Sequence, residues 1–154
     1  YDSELFKNKV LKIKELMPDA FIGVDMIVGM RGETPELFEE SRNFISSLPV
    51  SQLHVFPYSE RAGTMALKIP YKVEETEKKR RMGIMLPLSE EKLKTFYQSQ
   101  VGTTRKVLWE STNKQGFMNG FTENYIKVKA LYNAEKINEI ESITITEDIF
   151  DYEV

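Results

Sequence analysis

Two apolar runs that each break into a loop bearing glycine and charge constrain this chain more than anything else in it. They are Asp25-Met-Ile-Val-Gly-Met-Arg-Gly-Glu-Thr34 and His54-Val-Phe-Pro-Tyr-Ser-Glu-Arg-Ala-Gly-Thr-Met-Ala66. A short apolar run ending in such a loop is the pattern of a parallel strand that delivers a functional loop at its C-terminal end. One helix-like segment fills the interval, so the unit reads strand, loop, helix, strand, loop. With connections this short, parallel pairing through a right-handed crossover is the natural arrangement. The first strand, at residues 20–28, is nearly continuous in apolar residues and reads as buried on both faces.

The flanking segments support an alternation of helix and strand. Residues 3–16 place Leu5, Phe6, Val10, Leu11, Ile13 and Leu16 at a mostly helical spacing, and Met17-Pro18 ends that helix. Thr34 is placed to cap the next helix, with Pro35 at its first position and Glu36 near its positive end. Its expected buried stripe runs through Leu37, Phe38, Ser41, Phe44, Ile45 and Leu48. Residues 73–101 predict two helices broken by Pro87, one over about 74–85 and one starting from Ser89 as its cap. Within the first, Lys78-Lys-Arg-Arg81 reads as a solvated face flanked by Glu74, Glu75 and Glu77.

After Gly102 the texture changes to short runs at 104–110, 116–121, 125–131 and 143–146, with alternation clear in Ile126-Lys-Val-Lys and Ile143-Thr-Ile-Thr. Four or five strands in so short a stretch suggest a small β-barrel or sandwich. The expected division is therefore an α/β part over 1–100 and a β part over 101–154, an α+β chain taken whole. Residues 101–154 hold 6 basic against 9 acidic residues, a balance of −3, whereas 1–100 balance to zero. A dedicated nucleic-acid module usually shows a basic stripe, and this tail does not.

The chain has no cysteine, which excludes disulfides, thiolate-held metal and a cysteine nucleophile within it. No apolar run approaches the roughly 20 residues that span a bilayer. A cytoplasmic protein without a membrane partner is the expectation. Because the chain starts at Tyr1 without an initiator Met, it is expected to be a piece of something longer.

Among individual residues, Gly29 and Gly32 would let the backbone approach a ligand closely at a helix N-terminus that favours polar or anionic groups. His54, the only histidine, reads as a core residue with one hydrogen bond. Asp25, set in an apolar strand, needs a partner if buried; Arg61 on the neighbouring loop reads equally as that partner or as a solvent-exposed arginine. Trp109, Phe117, Phe121 and Tyr125 either stack on bases or fill a small barrel core.

Taken together, the motifs resemble the radical S-adenosylmethionine tRNA methylthiotransferase family. Residues 25–34 are similar to its Asp-x-Ile-Val-Gly-x-x-Gly-Glu-Thr segment, and residues 58–66 to its Tyr-Ser-x-Arg-x-Gly-Thr-x-Ala segment. Gly120-Phe-Thr-Glu-Asn-Tyr-Ile-Lys-Val128 resembles the signature of the TRAM domain, a small β-barrel, with Glu110 matching the acidic residue before it. Met30-Arg31 departs from the commoner Phe-Pro. The resemblance implies the C-terminal part of a radical barrel over 1–100 and a TRAM β-barrel over 101–154. Within the family, His54-Val-Phe-Pro-Tyr-Ser with Arg61 most resembles the branch that adds a methylthio group at C2 of threonylcarbamoyladenosine beside the anticodon. Isopentenyladenosine in tRNA, or a ribosomal protein, are the alternative substrates within the family.

The resemblance further implies that Ile27, Gly29, Glu33, Tyr58 and Arg61 line a cofactor or substrate cavity. It also implies that the β part grips RNA: either Arg105, Lys106, Lys127 and Lys129 gather on one face beside Tyr125, as strand alternation permits for Tyr125, Lys127 and Lys129, or the grip lies elsewhere in the longer protein. The longer enzyme would use S-adenosylmethionine and two 4Fe–4S clusters, with the tRNA anticodon stem-loop and the N-terminal remainder of the same polypeptide as partners. Cluster-holding cysteines are absent here, so this chain is expected to bind no cluster, to have no catalytic residue or metal ligand of its own, and to be inactive alone. Readings from other classes are a free-standing RNA-binding module and a non-catalytic interaction domain.

Overall fold

The computed structural model describes residues 2–152. The chain separates into two compact units. The first gathers the chain through Pro18 with Ile22–Leu93; the second gathers Asp19–Phe21 with the chain from Lys94 onward.

The first unit is built on two parallel strands, β1 (Gly23–Val28) and β2 (Gln52–Pro57), registered from Gly23 opposite Gln52 to Val28 opposite Pro57. Between them runs α2 (Pro35–Ser47), where the Thr34 side chain accepts the Leu37 N–H at 3.4 Å and Pro35 occupies the first turn. The preceding helix, α1 (Ser3–Leu16), is capped by Asp2, which accepts the Leu5 N–H at 2.8 Å. A single core joins Val10 of α1, Val28, Phe38 and Ile45 of α2, Leu53 and Val55.

β1 is not buried on both faces. Val24, Met26 and Val28 turn to the core, while Gly23, Asp25 and Ile27 are exposed. The period of 2 puts their register partners His54 and Phe56 on that same open face. Ile27 and Phe56 are each about half exposed, at 50% and 51%. An apolar strand therefore looked two-sided by composition, although only one side is covered. On α2 the expected stripe narrows to Phe38, Ile45 and Leu48, with Leu37 and Ser41 exposed.

The two helices expected after residue 73 are one. α3 (Glu75–Ser99) continues through Pro87, which has no N–H to give the Gly83 carbonyl. A proline inside a helix costs about 3 kcal/mol, so packing must hold the helix together. It does so at Met85, which is fully buried, and at Ser89. The Ser89 hydroxyl donates to the Leu53 carbonyl at 2.8 Å and accepts the Leu53 N–H at 2.9 Å. Ser89 is a bolt between helix and strand, not a cap.

The second unit carries four antiparallel strands, β3 (Thr104–Trp109), β4 (Phe117–Thr122), β5 (Lys127–Leu131) and β6 (Ile140–Thr144), ordered β5-β4-β3-β6. Val107, Trp109, Met118 and Val128 face inward with Ile126, Ile145 and Phe150. Gly120 is required by close approach: a Cβ there would lie 2.6 Å from Val107 Cγ1 and 2.7 Å from the Leu108 carbonyl oxygen. β5 starts later than expected because Tyr125 sits in a turn at φ +67. Among the described residues this sheet does not close into a barrel, and β1 and β2 do not form one either. The chain is α+β, with one parallel and one antiparallel sheet.

Candidate functional site

The loops after β1 and β2 lie at the same end of the parallel pair, because parallel strands carry their C-termini together. In the first loop, Gly29 and Gly32 adopt φ of +78 and +88, a conformation open to glycine. The Gly29 N–H donates to the Glu33 carboxylate, closing the loop on itself. In the second, the Tyr58 N–H donates to the Val28 carbonyl at 2.8 Å, extending the strand pairing into the loop. Arg31 ties the loops together: its Nε donates to Glu60 Oε1 at 2.7 Å and its Nη1 to the Ile69 carbonyl at 3.0 Å. The hydrogen bond from Arg31 holds the Glu60 carboxyl below its ordinary value.

Two basic residues of α3 finish the arrangement. Arg81 is fully buried, with its guanidinium 5.1 Å from the Phe38 ring centroid. Its Nη1 donates to Glu33 Oε2 at 2.6 Å and to the Glu33 carbonyl at 2.9 Å, and its Nε to Glu77 Oε1 at 2.9 Å. Burial works against the charge, but the hydrogen bonds to Glu77 and Glu33 outweigh it and hold the guanidinium above its ordinary value. Lys78 is 3% exposed, and its Nζ donates to the Tyr58 carbonyl at 2.9 Å and to Glu75 Oε1 at 2.7 Å. These two residues correct the reading of 78–81 as a solvated face: Lys78 and Arg81 point inward, while Lys79 and Arg80 stay exposed.

Ile27, Phe56, Tyr58, Ser59, Arg61 and Thr64 surround a cleft of about 420 Å³. Ile27 also borders a second cleft of about 710 Å³, lined by Met30, Glu33, Leu37 and Phe44 among others. Of the five residues expected at a cavity, Ile27, Tyr58 and Arg61 meet at the first cleft, while Glu33 lines the second. Gly29 lines neither and serves the loop's closure. No hydrogen bond or ion pair engages the Arg61 guanidinium among the described residues, so of its two readings the exposed one holds and no Asp25–Arg61 pair forms. Asp25 instead stands opposite His54 on the open face of the sheet, and His54 is exposed rather than a core histidine.

Chemically, the first cleft offers an apolar wall, the two aromatic rings of Phe56 and Tyr58, three hydroxyls from Tyr58, Ser59 and Thr64, and one uncommitted cation. That set suits a flat heterocycle carrying an anionic group. S-adenosylmethionine, with its adenine and carboxylate, fits such a donor set. Iron–sulfur clusters do not fit: there is no thiolate, and no group of three or more His, Cys, Asp or Glu suited to a metal exists among the described residues.

In the second unit the five basic and aromatic candidates separate. Lys106, Lys127 and Lys129 share the outer face of the sheet, where Lys127 stands opposite Phe121, Phe121 opposite Leu108, and Lys129 opposite Asn119. The Tyr125 ring, 61% exposed, packs 5.2 Å from Phe121 and 5.4 Å from Phe21. Arg105 takes the opposite face, since neighbours in a strand alternate. Its Nη2 donates to Asp19 Oδ2 and Gln100 Oε1, both at 2.6 Å. Lys127 lies 3.3 Å from Asp151 Oδ2. Trp109 is buried, with its indole N–H on Glu141 Oε2 at 3.0 Å, whereas Phe117 is exposed.

Comparison with known proteins bears on what these features serve. No protein-family model matches the chain. The threonylcarbamoyladenosine tRNA methylthiotransferase of Bacillus subtilis is 31% identical over 156 residues, covering 99% of this chain and 35% of that protein. The protein of that name from Aquifex aeolicus is 36% identical over 129 residues, covering 84% of this chain and 30% of its own length. The tRNA-2-methylthio-N(6)-dimethylallyladenosine synthase of Actinobacillus succinogenes is 34% identical over 147 residues, covering 94% and 31%. This chain is a part-length homologue of tRNA methylthiotransferases. It spans about a third of the length of the curated relatives it matches.

For a methylthiotransferase homologue, the residues that reading the sequence missed are Arg31, Lys78 and Arg81. The only signal for the last two was their spacing: three apart on a helix, they share a face. Arg31 marked itself by replacing the commoner Phe-Pro, without saying what it would hold.

Proposed function

We propose that this chain is the C-terminal part of a radical S-adenosylmethionine tRNA methylthiotransferase that adds a methylthio group at C2 of threonylcarbamoyladenosine. In this reading residues 1–100 complete a radical barrel and residues 101–154 form a TRAM domain. The 420 Å³ cleft receives S-adenosylmethionine or the modified base, with Ile27, Phe56 and Tyr58 against the heterocycle and Arg61 on an anionic group. Gly29 and Glu33 fix the neighbouring loop. The cofactors of such an enzyme supply radical chemistry, while this chain binds and orients.

One observation carries the reading. A chain aligned along 99% of its length with a threonylcarbamoyladenosine methylthiotransferase gathers Ile27, Tyr58 and Arg61 around one cleft at the C-terminal end of paired parallel strands. On the RNA side, Lys106 and Lys129 beside Phe121 and Tyr125 supply the aromatic and cationic surface that a stem-loop would meet. Relatives named for dimethylallyladenosine match at comparable identity, which keeps that base as the second reading.

The test is to express the gene with its upstream coding sequence in a host lacking 2-methylthio modification and analyse tRNA nucleosides by mass spectrometry. Methylthiolated threonylcarbamoyladenosine supports the proposal; methylthiolated dimethylallyladenosine transfers it to the other base. Neither product, from a soluble and cluster-loaded enzyme, refutes it. Arg61→Ala should abolish most product without unfolding the protein.

A further inference from the structure

α3 meets the site through two cations one helical turn apart, and each is committed to a different loop. Arg81 holds the first loop by both the carboxylate and the carbonyl of Glu33, and that carboxylate also accepts the Gly29 N–H. Lys78 holds the second loop by the Tyr58 carbonyl, with its Nζ 5.7 Å from the Tyr58 ring centroid. The same lysine touches the first loop with its stem, because a Cβ on Gly29 would lie 2.4 Å from Lys78 Cγ. Both side chains are almost wholly buried. Burying two cations is costly, and an apolar pair of similar size would often stabilise the fold as well or better. Packing alone therefore does not account for them.

What the two cations supply, and an apolar pair would not, is direction. Each fixes a backbone carbonyl and thereby the height of a loop relative to α3. Ile27 precedes Gly29 by two residues, and Tyr58 lies three residues before Arg61, so the residues facing each other across the cleft hang from the two anchored points. We infer that Lys78 and Arg81 are positioning residues that set the separation of the two strand-end loops, and through it the width of the cleft between Ile27 and Tyr58–Arg61. The inference rests on the proposed function only for the identity of the ligand, not for the splint itself.

The experiment has two arms. In the 154-residue chain, amide hydrogen exchange is followed for Arg81→Lys, Lys78→Met and, as a control, Val10→Ala, which removes a buried contact from the same core but on α1. Arg81→Lys should speed exchange at Gly29 by about tenfold or more, Lys78→Met should release the segment after Tyr58, and Val10→Ala should do neither. Equal release by all three variants would reduce the cations to ordinary packing and overturn the inference. In the longer enzyme, equilibrium binding of S-adenosylmethionine and its KM and kcat are measured. Arg81→Lys should weaken binding and raise KM by about tenfold with kcat much less affected, while Val10→Ala leaves both near wild type. Loss of binding in Arg61→Ala but not in Arg81→Lys or Lys78→Met would refute the positioning role while sparing the proposed ligand. No effect in Arg61→Ala, with the exchange results as expected, would refute the ligand and spare the splint.

Discussion

The two units use the same residue types in opposite ways. In the first, Lys78 and Arg81 are turned inward and spent on loop carbonyls and carboxylates, leaving the open sheet face to Ile27, Phe56, Asp25 and His54. In the second, Lys106, Lys127 and Lys129 stand on the open sheet face, and the inward cation of that sheet, Arg105, is tied by Asp19 and Gln100. At its strand-end loops the first unit uses cations to build a shape; on the sheet of the second, Lys106 and Lys129 are held out to the surroundings while Lys127 pairs with Asp151. The difference teaches that a basic run has no meaning until its face is known. Four consecutive cations at 78–81 divide between interior and solvent, whereas dispersed lysines assemble on one surface.

The comparison is broken most forcefully at Arg81. Arg81→Ala leaves Glu33 and Glu77 without their shared partner and should cost about 3 kcal/mol or more, the usual penalty for halving a buried ion pair. Lys129→Glu should change stability by well under about 0.5 kcal/mol, since surface substitutions rarely do more. Chemical denaturation of the two variants reads both numbers, and equal losses would erase the distinction between the units.

A second pair sets glycine against glycine. Gly120→Ala drives its Cβ into the Leu108 carbonyl and the Trp109 ring, which are backbone and core, and should cost about 2–3 kcal/mol. Gly29→Ala meets only the flexible stem of Lys78, but at φ +78, and should cost about 1–2 kcal/mol. Trp109 is the only tryptophan, so its fluorescence reports the second unit, and exchange at buried amides of β1 reports the first.

Smaller effects come from pH, and they fall on opposite limbs. Glu77 is drawn from 4.5 down to about 2 by hydrogen bonds from Arg80 and Arg81. A depressed carboxylate stabilises the fold above its unfolded value, and that stabilisation is lost as pH falls from 4.5 toward 2. In the second unit, burial pushes the Tyr97 hydroxyl up from 10.0, against the opposing effect of the Lys127 amide. The neutral form is favoured in the folded state, so its contribution is complete below pH 10.0 and declines as pH rises through the folded value. Glu77→Gln should blunt acid sensitivity and Tyr97→Phe should blunt alkaline sensitivity, each leaving the other limb intact.

The smallest effect on folding, though not on RNA binding, is on the outer sheet face. Lys106→Glu with Lys129→Glu should weaken tRNA stem-loop binding and flatten the salt dependence of log K by about 1 per lost phosphate contact. Arg105→Ala should lower stability and leave that slope unchanged. Identical slopes in all variants would remove this face from RNA contact.

Much of this was legible from the sequence, for identifiable reasons. The Thr34-Pro35 helix start, the parallel pair and the two loops follow from capping and periodicity, which are local. What escaped was long-range. Pro87 announces a break, but the bolt at Ser89 and the buried Met85 outweigh it, and only the partner strand reveals that. An apolar β1 conceals that one face is uncovered, because hydrophobicity records what a strand tolerates rather than what touches it. Lys78 and Arg81 looked like surface because glutamates flank them, yet two of those glutamates are their partners, Glu75 for Lys78 and Glu77 for Arg81. Arg105 and Lys106 were grouped by adjacency, which in a strand guarantees opposite faces.

β1 and β2 pair with each other and, among the described residues, with no further strand. Each therefore presents a row of backbone donors and acceptors along its outer edge, beside the exposed Ile27 and Phe56. Such an edge is a template on which another extended chain adds. Handled by itself in solution, this polypeptide will meet copies of that template at a frequency rising with concentration, so its useful working range will be set by dilution before it is set by heat. A lysine placed at Phe56 would discourage that meeting without disturbing the core, which lies on the other side of the strand.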